Sequence, residues 1–133
     1  MIHIRGAFLA SCLFLVGCQD EPVRPCDLWT ASAVVSGRVT NASGPIAGAP
    51  VDLRVAATGS CDGAGGWFLA KRDTTDAAGN YSAELGLGNS RGVRCVSVTE
   101  VASGASAQGE VEFTGGCDDL RPPGQAQVDL VVP

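Results

Sequence analysis

Histidine occurs once in this chain, at His3, and lysine once, at Lys71. Tyr81 is the lone tyrosine, and aromatics make up only 5% of the residues. No Cys-x-x-Cys pair is present. These absences remove whole classes of chemistry. Histidine triads, Cys–His pairs and two-His metal sites lack their essential residue if His3 belongs to a cleaved leader. A serine–lysine dyad would depend on Lys71, which has no Ser-x-x-Lys spacing and sits beside Arg72 in a strand-like segment. Zinc held by cysteines alone has none of its usual close spacings. Basic residues are also few: 9 against 14 acidic ones, with net charge −5 and no cluster. Nucleic-acid binding, which needs grouped Lys and Arg, is disfavoured. Charge-driven adsorption to anionic lipid is disfavoured for the same reason.

Long apolar runs are missing as well. The one apolar stretch, residues 7–16, follows Arg5 and is too short to cross a bilayer as a helix. It ends in Leu15-Val16-Gly17-Cys18, and polar Gln19-Asp20-Glu21 comes directly after. Basic start, apolar core and small residue before a cut form a secretory signal. The last four residues resemble the lipobox of bacterial lipoproteins. The resemblance implies cleavage before Cys18, lipid on its thiol and an extracytoplasmic protein held in the cell envelope by that anchor. Gln19 in second position implies the outer membrane in a Gram-negative host. Losing Arg5 takes the charge to −6. The expected organisation is a signal peptide over residues 1–17, a lipidated Cys18 with a Pro22- and Pro25-containing tether over 18–32, and one domain over 33–133.

Cys12 would leave with the leader and Cys18 would carry lipid. Cys26, Cys61, Cys95 and Cys117 remain, an even set that reads as two disulfides in an exported domain.

The rest of the chain consists of short strand-like segments broken by Gly, Pro, Asn and Asp, without helical periodicity. Seven strands are expected, over residues 34–40, 50–57, 67–74, 80–85, 93–101, 108–114 and 127–132. The clearest alternation sets Val51, Leu53 and Val55 against Asp52 and Arg54, giving one buried and one wet face. The predicted fold class is all-β: a seven-stranded antiparallel β-sandwich, transthyretin-like or immunoglobulin-like. Read as an up-and-down order, it collects all four cysteines at the tethered end. Strands one and two then pair around Gly44, and five and six around Gly104. This favours Cys26–Cys61 with Cys95–Cys117, and holds Cys61–Cys95 with Cys26–Cys117 in reserve.

Three motifs carry a second resemblance: Ser36-Gly37-Arg38-Val39, Gly44-Pro45-Ile46-Ala47-Gly48-Ala49-Pro50-Val51, and Thr75-Asp76-Ala77-Ala78-Gly79-Asn80-Tyr81. Together they are similar to the carboxypeptidase regulatory-like domain, a transthyretin-like sandwich, over about residues 34–85. The resemblance implies a fold rather than a reaction, because the module is reused in many settings. Physically, Gly44, Gly48 and Gly79 suit tight turns. Asp76 can cap turn amides. Tyr81 can close the sandwich edge with its ring inward and its hydroxyl outward.

Little else suggests chemistry. Gly63-Ala64-Gly65-Gly66 lacks the Lys-Ser/Thr of a phosphate loop. Asp62, Asp118 and Asp119 fall in loops at one end, but their spacing is not that of a calcium loop. No metal and no cofactor is expected. Trp29 and Trp67 suit covers for the disulfide end better than a glycan platform. The function expected is a non-enzymatic, lipid-anchored envelope module with a binding or structural role. Its partners are the membrane, through the anchor, and an envelope protein or glycan, with no nucleic acid. A carbohydrate-binding or adhesion module is the alternative, and a hydrolase ranks last.

Overall fold

The computed structural model describes residues 30–88, 90–116 and 118–133, so Cys18, Cys26, Trp29 and Cys117 lie outside the described residues. The period-two pattern at the second expected strand becomes β3 (Pro50–Val55), whose Val51, Leu53 and Val55 are wholly buried. The other elements are β1 (Ser32–Asn41), β2 (Gly44–Pro45), β4 (Phe68–Thr74), β5 (Asn80–Gly86), β6 (Gly92–Glu100), β7 (Ser106–Phe113), β8 (Gly124–Gln127) and β9 (Leu130–Val131). The described residues contain no helix. All-β architecture and sandwich layering are as the sequence predicts.

One sheet has the order β4-β3-β6-β7, antiparallel throughout. In the other, β1 is central: β5 and the short β2 pair with it antiparallel, and β8 and β9 pair with it in parallel. The inner faces meet in a single core that includes Val35, Leu53, Leu85, Val98, Phe113 and Leu130. Burying such side chains contributes about 1.5–3 kcal/mol each before entropy is charged against it.

Two features depart from the up-and-down reading. The first two long strands, β1 and β3, do not pair around Gly44; they belong to opposite sheets. The last expected strand is two pieces that pair directly with β1, in parallel, within a sandwich expected to be antiparallel. Their register with β1 is continuous: Ser36 faces Gln127 and Val39 faces Leu130. The break at Val128 and Asp129 has a local cause. The Arg38 amide donates to the Asp129 side chain, Oδ1 at 3.0 Å, in place of a backbone carbonyl.

Gly37 explains how this side closes. A Cβ built there would lie 1.9 Å from the Val128 carbonyl oxygen and 2.8 Å from the Tyr81 hydroxyl. With no side chain in the way, that hydroxyl reaches across β1 and donates to the Val128 oxygen at 2.5 Å. Tyr81 is thus buried at both ends, which corrects the expectation of an outward hydroxyl. An unpaired phenol would be costly inside a sandwich, so it takes the nearest free carbonyl.

Candidate functional site

One end of the sandwich gathers residues 56–67, 87–88, 90–91, 114–116 and 118–123, together with the start of β1. Residue 30 enters here: the Ala31 amide donates to the Gly88 carbonyl, and Ala31 accepts from the Leu87 amide. The disulfide lies at this end. Cys61 is bonded to Cys95, closing a separation of 34 residues. This overturns the favoured Cys26–Cys61 and Cys95–Cys117 pairing and agrees with half of the reserve. The cause is sheet assignment. β6 lies beside β3, with Val55 facing Val96, and the Ala56 amide donates to the Cys95 carbonyl. The loop leaving β3 therefore folds over the outer face of β6, and the Cys61 amide donates to Glu110 Oε1 on β7.

Beside this loop is a concavity of about 400 Å³. Ala56, Ala57, Phe68 and Leu87 supply apolar walls, Gly86 supplies backbone, and Ser90 and Arg94 supply polar groups. Arg94 occupies the inward register of β6, opposite buried Val111. One guanidinium nitrogen, Nη1, donates to the Ala57 carbonyl and ties the side chain to another lining residue. Phe68 is 43% exposed at the rim. Sequence reading missed this site. The available signal was parity: Arg94 shares the face of Val96 and Val98, where an uncompensated charge needs a reason.

A second concavity, with polar groups and some apolar surface, lies on the outer face of the β1 sheet, lined by Ser36, Arg38, Asn80, Ser82, Gln127 and Asp129 together with Gly37 and Tyr81. Its charged groups are already engaged. Arg38 Nε donates to the Ala78 carbonyl, and Asp129 accepts from Gln127 Nε2 and from the Arg38 amide.

The turn residues singled out in the sequence lie at the opposite end. Asp76 Oδ1 accepts from the Ala78 and Asn80 amides at 2.9 Å each. Gly44, Gly48 and Gly79 all have positive φ. At Gly79 space matters too, since a Cβ would lie 2.7 Å from the Val39 carbonyl oxygen. Among the described residues, no group of His, Cys, Asp or Glu could hold a metal ion. Asp119 is instead committed to Arg121 and to the Gly115 amide. Trp67 is half-buried next to Phe68.

Three carboxylates are held below the ordinary range. Asp52, 5% exposed on the outer face of β3, is lowered by its hydrogen bonds from Arg72, against the opposing effect of burial. Hydrogen bonds from Ser103 and Ala102 lower Glu100. Arg121 lowers Asp119. Tyr81 is pushed above the usual phenol range by burial, with Asp129 adding to the effect. Each shift belongs to a group hydrogen-bonded to its neighbours in the fold.

No protein-family model matches the chain, and no curated protein matches it. Solved structures similar to it include the dioxygenase domain of a dioxygenase–carbohydrate-binding fusion protein from the cellulolytic bacterium Streptomyces sp. SirexAA-E. That likeness has 21% identity and a TM-score of 0.38, and covers 77% of this chain and 81% of that one. Another is the shaft pilin SpaA of Lactobacillus rhamnosus GG, at 13% identity and a TM-score of 0.38, covering 78% of this chain and 51% of the pilin.

Proposed function

We infer that the protein is a lipid-anchored module of the bacterial cell envelope, which presents a small β-sandwich on a short tether and acts by binding or support rather than by catalysis. The observation that carries this reading is the register Leu15-Val16-Gly17-Cys18 followed at once by Gln19-Asp20-Glu21. Lipid on Cys18 would hold the chain to the outer leaflet, or to the outer membrane in a Gram-negative host. A non-enzymatic role is supported by inventory. A chain cut before Cys18 holds no histidine, and its only lysine has no serine at catalytic spacing. The motifs around Gly37, Gly48 and Asp76 support a carboxypeptidase regulatory-like module as the sandwich's family. Metabolic labelling with a palmitate analogue tests the anchor: label is expected on the wild type and absent from Cys18→Ala. Equal labelling of both would refute the assignment. Purified protein that turned over a peptide, ester or glycoside, with one point mutation abolishing the activity, would refute the non-enzymatic part.

A further inference from the structure

We propose that the concavity between Phe68, Leu87 and Arg94 is a binding site for a small apolar carboxylate, its ring or chain against the phenyl and leucine side chains and its head group on the guanidinium. This goes beyond the envelope role and holds whether or not Cys18 is lipidated.

Three observations converge on it. The first is shape and composition. Four apolar side chains and a few polar groups around about 400 Å³ form the usual make-up of a ligand pocket. It opens among loops at one end of a rigid scaffold, where binding residues concentrate. The second is charge. The chain has 14 acidic residues and 9 basic ones. Arg54, Arg72 and Arg121 each pair with a carboxylate. Arg94, like Arg38, Lys71 and Arg91, has no ion pair among the described residues; of these four it is the one that lines this concavity, where no described Asp or Glu stands. A guanidinium set among apolar walls, with no described acid beside it, selects an anion. The third is geometry. Arg94 is pinned through Nη1 alone. Its Nε and Nη2 have no protein partner among the described residues, so two parallel donors remain for a carboxylate, the arrangement that guanidinium groups recognise best. The Ser90 hydroxyl stands at the same wall. An apolar body would cover Phe68, which is 43% exposed at the rim.

The test uses the chain from residue 18 onward, carrying Cys18→Ser and labelled for amide NMR. The probe is 3-phenylpropionate at millimolar concentration, compared with 3-phenylpropanamide and acetate. Expected shifts fall on Phe68, Leu87, Ser90 and Arg94. The amide should bind about tenfold more weakly, the size of one charge-assisted hydrogen-bond pair, and acetate more weakly still. Arg94→Gln should erase the preference for acid over amide, and Arg94→Lys should keep part of it. The parent protein alone is decisive if Arg94→Gln fails to fold. No shifts at these residues would overturn the proposal. Acetate binding as well as phenylpropionate would overturn it too, because the apolar walls would then contribute nothing. Binding that appears only after Trp29→Ala would also overturn it, since the segment before β1 would then be the occupant.

Discussion

The two lateral sides of the sandwich are closed by different means. Where β7 meets β8, closure comes from having no side chain. A Cβ at Gly124 would lie 1.8 Å from the Glu112 carbonyl oxygen, and one at Gly109 would lie 2.8 Å from a Val128 methyl. Backbone touches backbone, and the Ser32–Thr114 bridge locks the corner with two hydrogen bonds. Where β4 meets β5, a charged side chain does the work. Asp73 Oδ2 accepts from the Ser82 amide at 3.2 Å, which occupies a donor on the open edge of β5. β4 is itself irregular: its register with β3 shifts beside Leu53, and its residues are mostly exposed. A bulge and inward charges discourage pairing with other chains. One side is therefore rigid and intolerant of substitution, and the other is adjustable and guarded.

That contrast can be broken experimentally. Gly124→Ala should cost more than about 3 kcal/mol, beyond the usual range for overpacking, because a backbone oxygen cannot step aside. Denaturant unfolding measures it, and a loss under about 1 kcal/mol would show that the β7–β8 side is not tightly closed. A reference point away from both sides is the double variant Cys61→Ser, Cys95→Ser. Releasing a loop of this length should cost about 3–4 kcal/mol. Non-reducing peptide mapping of the parent should recover Cys61 joined to Cys95, and by elimination Cys26 joined to Cys117.

Asp52→Asn should cost about 1–2 kcal/mol at neutral pH, since a nearly buried carboxylate loses its Arg72 pair while Arg72 stays largely solvated. It should also flatten the acid limb of stability. The native values of Asp52, Glu100 and Asp119 are lowered. Their contributions are therefore complete above the unfolded carboxylate range, near pH 4, and fade as pH falls from there through the native values. Urea midpoints measured between neutral pH and pH 3 should fall less steeply in the variant. The smallest effect is expected from Asp73→Ala on the guarded side, about 0.5–1 kcal/mol. Its more telling readout is association: exposing the Ser82 amide should raise the tendency of β5 to pair between molecules, visible by light scattering.

The strands were legible because their information is local. Alternation at Val51, Leu53 and Val55 and the capped turn at Asp76 need only neighbouring residues. Pairing was not legible, because β3 finds β6 and β1 finds β5 across intervening strands. The cysteine assignment inherited that error. The Tyr81 hydroxyl was misplaced for a related reason: its partner, the Val128 carbonyl, is 47 residues away. The concavity was invisible to motif reading. It arises from an inward arginine meeting two loops; parity marks Arg94 as inward, but which loops it meets depends on the long-range pairing of the strands.

The parallel run of β8 and β9 along β1 has a mechanical consequence. A pull transmitted from residue 30 to residue 131 loads β1 at its beginning and the last strand at its far end, in opposite senses along one shared axis. The ladder between them, from Ala33 facing Gly124 to Thr40 facing Val131, is then sheared rather than peeled. All its rungs resist at once, with the Tyr81–Val128 tie across the middle. A domain stretched between a surface and whatever grips its other end would give way abruptly, at one high force, instead of unzipping bond by bond.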